Sequence, residues 1–188
     1  MTNMTLIEAG KDPKDEHAVF REMFENATIG IFQSTSEGNY IRVNPMLARI
    51  YGYNSPKDLI KNLTNIEQQL YVDPGRRIEF LGKLLYDGQV SDFESEVYRR
   101  DGTIIWISES ARLVTRKDGR LLYFEGFVKY ISERKKLQQD LLDLAANLER
   151  RVTERTEELQ LEIEKRSGIE DALRLTLKEA NQATEGNP

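Results

Sequence analysis

The chain has 188 residues, 39% hydrophobic and 31% charged, with a formal net charge of −5. It is too polar for one compact globule of that length, and it lacks the basic footprint of a nucleic-acid binder. It contains no cysteine and one histidine, His17, which excludes disulfides, thiolate metal sites, thiol chemistry and a multi-histidine metal cluster. No apolar run is long enough for a signal peptide or a bilayer span, so the cytoplasm is the expected compartment and direct membrane insertion is not expected; a membrane-bound parent protein stays open.

Residues 1–15, with Gly10, Pro13 and many charges, read as a flexible tail. Over residues 16–27, Phe20, Met23, Phe24 and Ala27 share one face of an amphipathic helix, a stripe that needs a surface to cover. TIGIFQST and YIRV then read as two strands joined at SEGN. Three short helices follow. Asn44, Ser55 and Asp73 each stand before a proline and supply the cap, and Gly52 and Gly88 end the first and third. Ile78, Leu81 and Leu85 are the expected buried face of the third helix. Three longer strands come next, beginning near Val90, Thr103 and Arg120, with Asp101-Gly102 and Asp118-Gly119 as hairpin turns. Residues 28–131 thus form an α+β unit in which five antiparallel strands carry short helices on one face.

From Ser132 the pattern turns helical, over 132–180, with 181–188 expected to fray. Leu137, Leu141, Leu144, Leu148, Val152, Leu159 and Ile163 mark one seam. A strict heptad alternates three and four; the repeated spacing of four near Leu148–Val152 is a local insertion that relaxes or reverses the supercoil. Ser167-Gly168 weakens the helix, and Ile169, Leu173 and Leu177 resume the pattern. A lone helix cannot bury such a seam. The expected partner is the same helix of a second copy, in a parallel homodimer that the N-terminal helix also joins; folding back on its own domain is the alternative.

The runs FENATIGIFQSTSEGNYIRVNPMLARIYGYNSPKDLI, FESEVYRRDGTIIWISESARLV and FVKYISERKKL resemble a PAS domain in order, spacing and turn residues, over Phe20 to Leu137. The resemblance implies a sensor module with a five-stranded sheet, a helical flank and often a small cavity between them. LERRVTERTEELQLEIEKR and ALRLTLKEANQATE are similar to the signalling helices of bacterial sensor histidine kinases. Diguanylate cyclases, phosphodiesterases and chemoreceptors carry similar linkers. No histidine follows His17 and no glycine-rich nucleotide site follows the helix, so the chain reads as a non-catalytic input module of a two-component kinase, with a ligand-free dimerisation scaffold as the alternative.

Side-chain parity places Phe93, Ser95 and Val97 inward, opposite Glu94 and Glu96. The resemblance adds Phe32, Ser34, Ile107, Glu109, Phe124 and Val128 to that face, with Leu47, Ile50, Tyr51, Leu59 and Ile78 closing the space from the helices. A filled core is the plainer reading; a small-ligand pocket with Ser34, Ser95 and Glu109 as polar points is the other. Glu109 is expected at the solvent rim. The ligand is unknown. Flavin-adduct and coumarate-type members need a cysteine, which is absent, and haem-binding members use a histidine inside the domain. His17 precedes the domain and reads as a surface residue; Arg76 and Arg77 read as solvated, with an anion site near a helix start as the other reading. Trp106, on the outer face, is expected to pack against the Phe20/Phe24 helix or a partner's copy of it.

PAS domains commonly leave their last strand through an Asp-Ile/Val-Thr triplet. Here Tyr130, Ile131 and Ser132 stand there, followed by Glu133 and Arg134. Ser132 keeps a capping hydroxyl, Ile131 an apolar anchor, and Glu133 suits the positive helix end. Tyr130 cannot make the ionic link of the family's Asp, so this joint is expected to rest on packing or one phenol hydrogen bond.

Overall fold

A computed structural model of the chain describes the backbone of residues 13–185 and the side chains of residues 16–176. The elements are α1 (Pro13–Asn26), β1 (Gly30–Ser34), β2 (Tyr40–Val43), α2 (Pro45–Ile50), α3 (Pro56–Asn62), α4 (Ile66–Gln69), α5 (Pro74–Asp87), β3 (Gln89–Tyr98), β4 (Ile104–Thr115), β5 (Leu121–Tyr130) and α6 (Ser132–Glu185). They divide into two units, one ending at Lys135 and one beginning at Lys136.

The first unit is one antiparallel sheet in the order β2-β1-β5-β4-β3, with α2 to α5 against one face. Both Asp-Gly turns form. Gly102 and Gly119 take φ of 83° and 84°, a region a side chain disfavours, and the preceding aspartates accept the N–H of Thr103 and Arg120. At Gly30 the reason is proximity instead: a Cβ there would lie 2.6 Å from Leu47 Cδ1, so a hydrogen is what lets α2 sit directly on β1. The core between sheet and helices is built from Phe32, Tyr40, Leu47, Tyr51, Leu59, Leu63, Phe80, Leu84, Val97 and Ile107.

The caps form as the sequence indicates. Ser55 Oγ accepts the N–H of Asp58 at 3.1 Å, and Asp73 Oδ1 that of Gly75 at 2.8 Å. A fourth helix, α4, escaped the sequence reading. Its signal is Asn65 as cap, with Gln69 Oε1 reaching back to the N–H groups of Thr64 and Asn65. The expected buried face of α5 is corrected. Ile78 and Leu85 are 65% and 60% exposed, while Arg77, Phe80 and Leu84 are buried and Leu81 is half-buried. The stripe is turned by one residue, about 100°, because the sheet takes the ring of Phe80 against Phe93, with centroids 5.4 Å apart. Arg77, one turn before Phe80, comes inward with it.

Helix α1 begins at Pro13 rather than residue 16, proline being well suited to a first helical position; the rest of the expected tail lies outside the described residues. Helix α6 runs unbroken through Ser167-Gly168 to Glu185, past the expected end at residue 180, sustained by strong helix formers on both sides. Residues 186–188 lie outside the described residues. No helix among the described residues is long and apolar enough to cross a membrane.

Asn44 joins three elements. Wholly buried, it accepts the N–H groups of Ile31 (2.9 Å) and Leu47 (3.0 Å) through Oδ1 and donates through Nδ2 to the carbonyls of Phe24 (3.1 Å) and Ile29 (2.9 Å). Asn44→Ala strands those groups and is expected to lower the unfolding free energy by about 2–4 kcal/mol. Urea denaturation of the full chain measures this; a loss below about 1 kcal/mol would refute the structural weight given to Asn44.

Candidate functional site

Sheet parity puts the sequence-predicted inner residues together. Phe32, Ser34, Leu47, Ile50, Tyr51, Phe93, Ser95, Val97, Ile107, Glu109, Phe124 and Val128 are all buried, as is Leu59; Ile78 is outside, as described above. Glu109 is not at a rim. It is 4% exposed, opposite Phe93 of β3 and Val128 of β5, and its Oε2 accepts the Tyr71 hydroxyl at 2.6 Å. Arg77 is not solvated either: it is 3% exposed, its guanidinium 5.4 Å from the Phe80 ring centroid and 6.0 Å from that of Tyr71.

The inner face thus holds a polar cluster that the sequence only half disclosed. Ser95 and Glu109 were in view. Tyr40 and Tyr71 were not, and Arg77 enters the sequence reading only as a solvated residue or an anion site near a helix start, although Arg77, Phe80 and Leu84 share a helical face that turns the arginine inward. Tyr71 arrives by an isolated bridge to Val97 that no local pattern announces. Burial pushes the Glu109 carboxyl above its ordinary range, with the Arg77 charge and the Tyr71 hydrogen bond pulling it partly back. Burial likewise raises the phenols of Tyr40, Tyr51 and Tyr71, so all three keep their protons. Three atoms of the cluster have no hydrogen-bond partner: Tyr51 Oη, Arg77 Nη2 and Ser95 Oγ. Each such buried group costs about 1–3 kcal/mol when left unpaired.

The other sheet face carries a groove of about 420 Å³ lined by Phe20, Phe24, Ile29, Ile31, Ser110 and Phe127, among others. Phe24 on α1 and Ala27 just beyond its end are half-buried, whereas Phe20 and Met23 are 63% and 69% exposed. His17 is exposed. Trp106 is on this outer face, as parity requires, but the Phe20/Phe24 helix is not what covers it. Lys135 Nζ sits 4.6 Å from its ring centroid, and Asp73, Arg76, Glu94, Ser95 and Glu96 share its surroundings.

Lys135 belongs to the root of α6, where the expectation of a joint without an ionic link is overturned. Glu94 on β3 forms salt bridges with both Arg134 and Lys135, and its carboxyl is held below the usual range by hydrogen bonds first from Lys135 and then from Arg134. The Ser132 hydroxyl accepts the N–H of Trp106 at 2.8 Å, tying the helix start to β4, and the Ile131 N–H donates to the Trp106 carbonyl at 3.0 Å. Ile131 is buried; Tyr130 is 47% exposed. The ionic link therefore exists with its ends exchanged: the helix supplies the cations and the sheet the carboxylate. Sequence reasoning missed it because it looked for an acid at the strand exit, whereas Glu94 lies 40 residues before Arg134. Beyond the root, every seam residue from Leu137 to Ile163 is exposed, between 45% for Leu159 and 69% for Leu137.

A family model described as PAS domain matches residues 28–133. The five-stranded order, the flanking helices and that match define a sensory, non-catalytic module, and the chain belongs to the PAS domain family. It is 27% identical over 122 residues to the probable diguanylate cyclase DgcE of Escherichia coli K12, covering 64% of this chain and 11% of that protein. It is 24% identical over 135 residues to the sensor histidine kinase TmoS of Ectopseudomonas mendocina, covering 70% of this chain and 13% of that one. The chain therefore spans only about a tenth of the length of these curated relatives. Among solved structures, the PAS domain of a Colwellia psychrerythraea protein superposes with a TM-score of 0.54 at 19% identity, over 63% of this chain and 98% of that one; the likeness is one of fold.

A carboxyl whose pKa is raised binds its proton more tightly in the folded chain than in the unfolded one. The stability it contributes is full at low pH and is lost as pH rises from its ordinary value of 4.5 through the folded value. Glu109→Gln keeps an acceptor for Tyr71 and cannot ionise. The stability of the wild type relative to this variant is expected to fall as pH rises from about 4 to about 8. Urea unfolding across that range measures the difference, and a flat or rising one contradicts the assignment.

Proposed function

We propose that this chain is the sensory input segment of a larger signalling protein, working as a parallel homodimer that passes a conformational bias from the PAS core into α6. The carrying observation is the uncovered seam. The seven seam residues from Leu137 to Ile163 all face solvent on one unbroken helix, and each leucine buried in a partner helix contributes about 1.5–3 kcal/mol. The half-covered stripe of α1 offers a second apolar surface to the same partner. Glu94 and Ser132 fix the start of α6 to β3 and β4, so a change in strand position moves the helix root. The repeated four-residue spacing near Leu148–Val152 supplies a coiled coil with two phases of similar energy, the bistable element such a relay needs.

The core binds a small ligand that sets the bias, a reading supported by the three unpartnered polar atoms of the inner cluster. The near-complete burial of the residues around them supports the rival reading, a dimerisation scaffold with a filled core. The output is a two-component histidine kinase, in line with the character of α6; a diguanylate cyclase output is the alternative that the curated relatives also support.

Single cysteines are unique reporters in a chain without cysteine. Those at Leu137, Leu141, Leu144 and Leu148 are expected to crosslink between copies, and those at Gln139 and Ala146, on the opposite side of the helix, are not. Replacing Leu141 and Leu144 together by lysine is expected to weaken dimerisation about 100-fold or more, as read by analytical ultracentrifugation. A chain that is monomeric before substitution, or crosslinks that ignore helix phase, would sink the dimer. A crosslink pattern indifferent to retained ligands and to core substitutions would sink the relay.

A further inference from the structure

The unpartnered atoms of the inner cluster specify what is missing. Arg77 Nη2 is an N–H group and can only donate; Tyr51 Oη and Ser95 Oγ carry hydroxyl hydrogens that can donate as well. All three belong to the inner layer that Glu109 shares. Arg77 and Tyr51 sit within its electrostatic reach, and Ser95 lies two residue pairs along from it, on the same face of the sheet, opposite Ile107. Each of their residues is more than nine-tenths buried. None of the three reaches Glu109 within hydrogen-bond distance; the hydrogen bond Glu109 accepts comes from Tyr71, at Oε2. One cation and two hydroxyls left without an acceptor describe the receptor half of an oxyanion site, with the planar guanidinium suited to a carboxylate.

We propose that the core of this domain binds a short-chain carboxylate, held by Arg77 with the hydroxyls of Tyr51 and Ser95. This rests on the ligand-sensing reading above and names its ligand class. Each residue of the cluster is 5% exposed or less, and that burial restricts the ligand to a short chain. A bound anion would face the Glu109 carboxyl, so Glu109 takes a proton from solvent as the anion enters, and the complex keeps the Arg77 charge opposite one anion only. The groups facing Glu109 are Tyr40 from β2, Tyr51 after α2, Tyr71 before α5 and Arg77 on α5. None of the three phenols supplies this proton, since burial holds them protonated.

Calorimetric titration of the full chain with sodium acetate and sodium pyruvate, against sodium chloride and the neutral isostere acetamide, tests this. The carboxylates are expected to saturate, and acetamide to bind at least about tenfold more weakly. Carboxylate affinity is expected to tighten from about pH 8 to about pH 6 by up to tenfold per pH unit, the signature of one proton taken up. Glu109→Gln is expected to flatten that dependence, and Arg77→Met to abolish saturation. Circular dichroism checks that Arg77→Met folds; should it not, Ser95→Ala, which only removes an unpartnered hydroxyl, is expected to weaken binding about three- to tenfold. Acetamide binding as tightly as acetate, no saturation by either carboxylate, or full affinity in Arg77→Met or Ser95→Ala would overturn the proposal. Carboxylate binding that leaves the α6 crosslinks unchanged would instead defeat the relay while the ligand class stands. A different retained molecule that shifts the crosslinks would defeat the class while the relay stands.

Discussion

One buried side-chain amide holds the domain in register. Asn44 spends both lone-pair directions of its oxygen and both hydrogens of its nitrogen on backbone groups from the end of α1, the approach to β1, β1 itself and the first turn of α2. A backbone polar group without a partner is costly in a dry interior, so no sliding of these segments keeps all four bonds. With α2 pinned in this way and seated on Gly30, Leu47 and Tyr51 are delivered to the inner face of the sheet, where the polar cluster forms. The same side chain holds the last turn of α1 and so sets where the Phe20/Phe24 stripe emerges beside the outer face.

The two regions of functional interest lie on the same two strands. On β3, Ser95 points into the cluster and the adjacent Glu94 points to the root of α6. On β4, Ile107 and Glu109 face inward while Trp106 faces outward beneath Lys135. Alternation along a strand makes neighbouring residues opposite in direction but inseparable in position. Whatever displaces Ser95 or Glu109 therefore displaces the anchor of the helix start as well, by way of rigid backbone and with no loop between them.

The architecture was open to reading from the chain because each of its devices is local. Caps before proline, Asp-Gly turns and alternation on strands all announce themselves within a few residues. The inner lining followed from parity once the strands were placed. What escaped depends on contacts distant in sequence. Arg77 reads as solvated because charged side chains are ordinarily at the surface, yet its helical phase is set by Phe80 meeting Phe93. Glu109 reads as a rim residue because the hydroxyl that satisfies it, on Tyr71, sits 38 residues away. The acid at the helix root was sought next to the helix and is found on a different strand. In each case the deciding term was tertiary packing, which a short window of sequence does not carry.

The ends of the sheet have a consequence for solubility. On one side the last strand, β2, has only four residues. On the other, β3 is sealed near Val97 by the segment around Tyr71: Val72 donates to the Glu96 carbonyl, and the Tyr98 N–H to that of Leu70. At its beginning a bulge between Val90 and Phe93, with Asp92 at a φ of 49°, breaks the flat run of backbone. Neither border offers a long straight row of free amides and carbonyls for a stray strand to copy. Self-association is thereby steered away from edge-to-edge stacking, the route to fibrous aggregates, and left to the side-chain surfaces of helices and sheet faces, where it can be specific and reversible.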